Sequence, residues 1–200
     1  MKGIGYFVLI PMTVLYLLIP LSNYAVYHFW GDLDMLYSNI IMVCQYMCPI
    51  FSVWYVFFIL YHYVEVPGNE IFYVEGKNKI SELIFPYTLY LILMLPLFVI
   101  YTRLFSDLWW LYFKLCIVNL LYVAITYSIT FLTKKILLSV IVILLYTMLV
   151  IAENTFGWEM ISYYNAFLYT GLALCKELLP LFIASLLLFA VGSIGNHYYY

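Results

Sequence analysis

Six long apolar runs dominate this sequence and limit what it can fold into. Most of them approach or exceed the roughly 20 residues that a helix needs to cross the hydrocarbon core of a membrane. Only 9% of the 200 residues are charged, whereas a water-soluble domain has about a quarter. Lipid must therefore cover most of the surface. The runs are 4–22, 37–61, 83–101, 108–130, 136–152 and 178–193.

The runs predict an all-α fold, a polytopic bundle of six transmembrane helices in a single domain over residues 1–200. Inside lipid, only helices and closed barrels satisfy every backbone polar group. Barrel strands alternate apolar and polar residues, and these runs do not. The first run contains Pro11 and Pro20 and ends without a small-residue cleavage site. We therefore expect a retained span there and not a signal peptide.

The distribution of Lys and Arg predicts the orientation, since basic residues accumulate on the cytoplasmic side. A cytoplasmic N-terminus puts five basic residues inside and two outside: Lys2, Lys77, Lys79, Lys134 and Lys135 against Arg103 and Lys176. We therefore expect a multi-pass protein of the cell membrane with both termini cytoplasmic. Residues 23–36 then form an outer loop, and four tryptophans lie near the outer boundary: Trp30, Trp109, Trp110 and Trp158.

The connection between the fifth and sixth spans, residues 153–177, is too polar to span and too apolar to extend freely into water. Two arrangements stay open. It is either an amphipathic segment lying on the outer surface or a re-entrant helical pair that turns at Gly157 and Gly171. Its stretch 161–175 has the length expected of interfacial and re-entrant elements, and we favour the re-entrant pair.

The residues needed for catalysis do not converge on this topology. His28, His62 and His197 fall in an outer loop, at a span end and in the C-terminal tail, and no HExxH or Gly-x-Ser-x-Gly motif occurs. Cys44 and Cys48 share a helix face and suggest a metal pair, but no His or carboxylate lies nearby to complete a ligand set. Apolar packing explains them better. We expect no catalytic residues, no metal and no cofactor.

Lys114, in the fourth span, is the one strongly charged side chain within a run. It lies about 9 Å from the outer edge at a rise of 1.5 Å per residue, and we favour snorkelling of its ammonium group back to the interface. The alternative is a substrate path shared with Asn119 and Thr126, which are seven residues apart and so lie on one face. Acidic residues fall in loops or at span ends, which argues against ion-coupled transport.

Residues 63–81 form a long polar stretch with charges of both signs, between the second and third spans. Pro67 and Gly68 end the incoming helix, and Asn69 is a suitable N-cap for a short helix on the cytoplasmic surface. This short helix presents an apolar edge flanked by charges, which suits docking of a soluble partner. The residues expected to contact that partner are Glu65, Gly68, Asn69, Glu70, Ile71, Phe72, Val74 and Glu75.

With this segment and six spans, the chain resembles the ABC-2 type permease family, the membrane subunits of ATP-driven exporters. Glu65, Gly68, Asn69 and Glu70 resemble the acidic-glycine pattern of the family's coupling segment. The resemblance implies a pair of permease subunits, alike or unlike, above two ATP-binding subunits, with a coupling helix between spans two and three. This chain has no Gly-x-x-x-x-Gly-Lys-Ser/Thr phosphate loop, so a partner would bind the ATP.

Three functions stay open at this stage. The favoured one is a permease subunit that exports a hydrophobic or amphipathic peptide, antibiotic or lipid, with ATP-binding subunits and membrane lipid as partners and no nucleic acid. The second is a non-catalytic membrane scaffold or accessory subunit of another complex. The third is an enzyme or ion-coupled carrier whose site has no recognisable motif.

Overall fold

The computed structural model describes residues 9–65, 79–156 and 172–197, and over these ranges the chain is helical without a strand. The all-α fold predicted from the sequence is confirmed. The helices are α1 (Leu9–Thr13), a π-helical turn (Val14–Leu18), α2 (Ile19–Trp30), α3 (Leu33–Ser52), α4 (Trp54–Val64), α5 (Lys79–Thr102), α6 (Leu108–Thr133), α7 (Ile136–Phe156) and α8 (Leu172–His197).

These helices have the length and composition of membrane spans. Within the described ranges, five helical stretches are long and apolar enough to cross a membrane: Leu9–Trp30, Leu33–Val64, Glu82–Thr102, Leu108–Thr133 and Cys175–Asn196. A sixth apolar stretch, Ile136–Ala152, is shorter. The bundle is therefore a multi-pass membrane fold, whereas its orientation and its particular membrane stay predictions.

The outer loop expected at residues 23–36 is wrong. α2 continues to Trp30 and α3 begins at Leu33, so the turn consists of Gly31 and Asp32. Gly31 adopts a left-handed conformation at φ 64°, which glycine tolerates without strain. Asp32 caps α3 by accepting a hydrogen bond from the Asp34 amide at 3.0 Å. Three polar residues of this region lie in helices, with His28 and Asp34 exposed and Asn23 buried, and hydropathy alone does not separate such residues from those of a loop.

The connection predicted at residues 153–177 is shorter at both ends. α7 ends at Phe156, and α8 begins at Leu172. Residues 157–171 lie outside the described ranges, so the choice between a re-entrant pair and a surface-lying segment stays a prediction. The shift of α8 matters because it places Glu177 within a helix.

The chain crosses the bundle back and forth between two ends, and the contacts at each end define them. At one end the α2–α3 turn lies beside the connection between α5 and α6, where the rings of Tyr37 and Phe105 are 5.1 Å apart. We call this the aromatic end, because Trp30 and Trp109 also lie there. At the other end α4 approaches the start of α7, next to Lys134 and Lys135. We call this the lysine end.

α6 is the central helix. In its most apolar stretch of 18 residues, 67% of the residues are buried, compared with 17% in the corresponding stretch of α8. It packs against α3, α4, α5, α7 and α8. α6 and α8 are parallel, since Lys114 contacts Glu177 near the start of both helices and Gly192 lies directly against Tyr127 and Ser128 towards their ends. α6 is therefore in contact with most of the other helices of the bundle.

The second apolar stretch, Leu33–Val64, is broken at Val53, between α3 and α4, one turn after Pro49. The Ser52 hydroxyl donates to the Pro49 carbonyl at 2.7 Å, and the buried Tyr90 hydroxyl donates to the Cys48 carbonyl at 2.9 Å. These two bonds satisfy backbone carbonyls next to the break, as a kink within lipid requires.

Candidate functional site

A buried ion pair connects α6 and α8 near the aromatic end. Lys114, in the second turn of α6, places its Nζ 2.9 Å from Glu177 Oε1, in the second turn of α8. The two side chains are only 2% and 18% exposed. The expected snorkelling of Lys114 is therefore wrong, since its ammonium group is directed to a carboxylate inside the bundle and not to the interface.

Burial within an apolar bundle makes each of these charges depend on the other. An ionised side chain removed from water is strongly unfavourable unless it is paired and hydrogen-bonded. Charged residues in spans usually face the interior of a bundle and mark functional positions. Glu177 is the third residue of the apolar stretch Cys175–Asn196 and so lies at a span end, as expected, but its carboxylate is largely buried and paired.

A sequence signal for this pair exists and was missed. A lone Lys inside a span implies an acidic partner at similar depth on another span. Lys114 lies six residues beyond Leu108, and Glu177 lies five beyond Leu172. Both helices cross in the same direction, so the two positions have the same depth. The signal was lost because Glu177 was assigned to the outer connection.

Asn119 and Thr126, the other residues of the predicted substrate path, are both fully buried in α6. Thr126 donates its hydroxyl proton to the Tyr122 carbonyl at 2.8 Å and is satisfied within its own helix. The Asn119 amide nitrogen lies 3.9 Å from Met94 Sδ, and its Oδ1 has no hydrogen-bond partner among the described residues. Lys114 and Asn119 are about 140° apart around the helix. The structure does not bring the three residues together, and a substrate path through them stays a prediction.

Seven of the eight predicted partner-contacting residues lie outside the described ranges. They are Gly68, Asn69, Glu70, Ile71, Phe72, Val74 and Glu75, and their role stays a prediction. The eighth, Glu65, is the last described residue after α4. Its Oε1 accepts a hydrogen bond from the Ile136 amide at 3.0 Å. Ile136 is the first residue of α7, so this carboxylate both satisfies an unpaired amide and complements the positive end of the helix dipole.

The turn that precedes Ile136 is tight. α6 ends at Thr133 and α7 begins at Ile136, which leaves only Lys134 and Lys135 between them. Lys134 is left-handed at φ 60°, and its amide donates to the Thr130 carbonyl at 2.9 Å. Glu65 is thus attached, through one hydrogen bond, to the junction between the central helix and α7.

The thiols of Cys44 and Cys48 are completely buried among apolar side chains of the core. Over the described ranges, no three His, Cys, Asp or Glu side chains come together as metal ligands would. The arrangement agrees with apolar packing of the two cysteines.

Comparison with known proteins leaves the description at the level of the fold. No family model, no curated protein and no solved structure matches this chain. Fold and composition define a multi-pass helical membrane protein. The two contacts that bear on its function are the Lys114–Glu177 pair and the hydrogen bond between Glu65 and Ile136.

Proposed function

We propose that this chain is the membrane-spanning permease subunit of an ATP-driven exporter, and that a separate ATP-binding subunit docks on residues 63–81. The observation that carries the proposal is the hydrogen bond between Glu65 Oε1 and the Ile136 amide. A coupling segment must be connected to helices that move. Glu65 opens the segment, and its carboxylate holds the first amide of α7.

The contact gives a route for mechanical work. A displacement of residues 63–81 by a soluble partner pulls on Glu65, and Glu65 pulls on the α6–α7 junction. Because two residues separate α6 from α7, the end of the central helix moves with the start of α7. α6 contacts α8 along much of its length, so the motion reaches the Lys114–Glu177 pair at the aromatic end.

The remaining features of the proposal follow from the resemblance to ABC-2 permeases. Two permease subunits would surround the path of a hydrophobic or amphipathic compound, and two ATP-binding subunits would lie on the lysine end. The chain supplies no phosphate loop of its own. ATP hydrolysis therefore belongs to the partner, and the role of this chain is to convert that partner's closure into helix motion.

Purification of the tagged full chain from its own membranes in a mild detergent tests the docking. We expect mass spectrometry to identify an ATP-binding protein in an amount comparable with that of the chain. Phe72→Ala and Glu70→Lys change the apolar edge and its flanking charge. Each should lower recovery of that protein about tenfold or more, the effect of losing a central interface contact.

Glu65→Ala tests coupling separately from docking. In the structure the Glu65 carboxylate is directed to the Ile136 amide, so the proposal assigns it to coupling and not to the docking contact. The partner should therefore stay bound to this variant, whereas an ATP-dependent change in the maleimide labelling rate of the exposed Cys175, at the far end of α8, should disappear. Glu82→Gln, a carboxylate change in the first turn of α5 at the same end, is the control and should preserve that change. Recovery of stoichiometric partners that lack an ATP-binding site would refute the proposal and favour an accessory subunit.

A proton-coupled carrier is the second candidate, and the buried Lys114–Glu177 pair favours it. In such a carrier the Glu177 carboxylate would take up and release a proton, and the Lys114 ammonium group would leave it whenever it is protonated. The chain reconstituted alone in liposomes would then move protons together with a solute, detected with an enclosed pH-sensitive dye. Proton movement that is lost in Lys114→Met/Glu177→Leu would establish this candidate, and its absence would leave the ATP-driven permease.

A further inference from the structure

The turn between α6 and α7 exposes two cations at the lysine end of the bundle. It consists of Lys134 and Lys135, and both side chains are exposed. The helical stretches on either side, Leu108–Thr133 and Ile136–Ala152, are apolar. Ammonium groups are unfavourable in hydrocarbon, so a turn of two lysines that joins two such helices lies at the membrane surface, where lipid headgroups are.

The conformation of Lys134 is one that the backbone does not favour for a lysine. Lys134 follows the last residue of α6 in a left-handed conformation, at φ 60°. Helices commonly end on such a residue, and it is usually glycine, because a Cβ makes this conformation unfavourable. A cation here complements the negative end of the α6 dipole, but Lys135 alone supplies one. The second ammonium group therefore calls for another explanation.

Exposed apolar side chains begin directly beside the two lysines. Leu132 comes just before the turn, and Leu137 and Leu138 come just after it; they are 56%, 69% and 42% exposed. Ile141 is also exposed and lies one turn further along α7, about 6 Å beyond Leu137. The cations thus lie next to an apolar surface that runs away from them into the membrane. A ligand with an anionic end and an apolar chain fits both parts.

One carboxylate also lies at this turn, but on its inner side. Glu65 Oε1 accepts a hydrogen bond from the amide of Ile136, a buried residue, whereas Leu137 and Leu138 are exposed on the outer side. One carboxylate offsets one of the two ammonium charges, which leaves a net positive charge at the turn. A zwitterionic headgroup carries its own cation beside its phosphate, so an anionic headgroup gains more from this charge.

We propose that Lys134 and Lys135 bind the phosphate group of an anionic glycerophospholipid, whose acyl chain lies along Leu137 and Ile141. The site does not depend on the source of energy for transport. It places a bound lipid at the junction between α6 and α7, which the Glu65 carboxylate also contacts.

Native mass spectrometry of the purified full chain tests the proposal. The chain is incubated at low salt with equal amounts of phosphatidylglycerol and phosphatidylcholine that carry the same acyl chains. We expect the parent chain to retain phosphatidylglycerol in excess. Each lysine near a membrane surface contributes about fivefold to the binding of an anionic lipid. Lys134→Gln/Lys135→Gln should therefore lower the excess about 25-fold.

Arg103→Gln/Lys176→Gln is the matched control, because it removes two exposed basic side chains at the aromatic end and changes the net charge equally. It should change the excess by less than about twofold, since the two ends of the bundle are separated by more than the Debye length of about 10 Å. Lys134→Gly removes one charge and suits the left-handed conformation. It should unfold no more readily than the parent chain and still lower the excess about fivefold, which separates loss of lipid from damage to the fold.

A phosphatidylglycerol with a diazirine in one acyl chain locates the lipid and should label the first two turns of α7. Excess inorganic phosphate should not displace it, because free phosphate lacks the apolar chain. Equal retention of the two lipids by the parent chain, an equal loss in the control variant, displacement by phosphate, or labels that map outside α6 and α7 would each overturn the proposal. Unchanged lipid retention with lowered recovery of an ATP-binding partner in Lys134→Gln/Lys135→Gln would also overturn it and assign the lysines to protein docking.

Discussion

Replacing Glu177 by Leu destabilises the bundle by about 3–5 kcal/mol, the usual effect of removing one partner from a buried ion pair. The change leaves the Lys114 ammonium group inside the bundle, where its side chain is 2% exposed. Lys114→Met should act in the same direction, since it leaves the carboxylate without its cation. SDS-induced unfolding of the purified chain, followed by tryptophan fluorescence, measures both effects.

The double variant Lys114→Met/Glu177→Leu separates pairing from packing. With both charges gone and the volume filled, its unfolding midpoint should return close to that of the parent chain, because apolar replacements of buried ion pairs are often neutral or stabilising. Lys176→Met, which removes the adjacent exposed charge, is the control and should change stability by less than about 0.5 kcal/mol. Two results would contradict the pairing. One is that the single variants are as stable as the parent chain, and the other is that the double variant loses as much stability as the two single variants together.

Gly192→Ala should separate α8 from α6 at the lysine end. A Cβ there lies 2.5 Å from Tyr127 Cδ1 and 2.9 Å from the Ser128 Cα. The Tyr127 ring has little room to move, since it packs against the rings of Phe131 and Phe189 with centroids 4.8 and 5.7 Å away. Overpacking of this kind costs about 1–3 kcal/mol. We expect the upper part of that range, because a backbone atom also obstructs the methyl group.

Gly195→Ala provides a matched control one turn further along α8. Its Cβ first meets Leu132 Cδ2 at 3.3 Å, the end of an exposed and flexible side chain. A small shift accommodates it, and the better helix propensity of alanine offsets part of the contact. The same unfolding measurement should therefore give a much smaller loss at this position. Equal losses at the two glycines would mean that close approach to Tyr127 is not the cause.

Hydropathy predicted the helices well and their ends poorly. Over the described residues the long apolar runs are helical, because lipid leaves the backbone few other ways to satisfy its polar groups. Residues 23–36 were assigned to a loop because they are polar, yet Asn23 belongs to α2 and its amide is bonded to Tyr101. The mean hydropathy of a short stretch is the same whether its polar residues lie on a helix or in a loop.

Two residues singled out from the sequence make contacts that the structure describes, and the roles predicted for them stay predictions. Lys114 and Glu65 were both singled out from the sequence, Lys114 for its charge inside a span and Glu65 for its place at the start of a charged segment. Both contacts are distant along the chain, and the partner of Lys114 was missed because Glu177 was assigned to the outer connection. Glu177 is 63 residues from Lys114, and Ile136 is 71 residues from Glu65. The Ile136 contact is also made by a backbone amide. Every residue except proline has such an amide, so the sequence does not indicate which one is bonded.

The sequence by itself determined that this protein is a helical bundle solvated by lipid, because hydrophobicity and backbone satisfaction are local properties that each run carries independently. Only the tertiary structure decided that Lys114 is paired and not snorkelling, that Glu65 holds the start of α7, and that the Asn23 amide donates to the Tyr101 hydroxyl. Each of these depends on the register between helices. Register is set by side-chain packing over the whole interface, such as Gly192 against Tyr127, and not by the hydropathy of any one span.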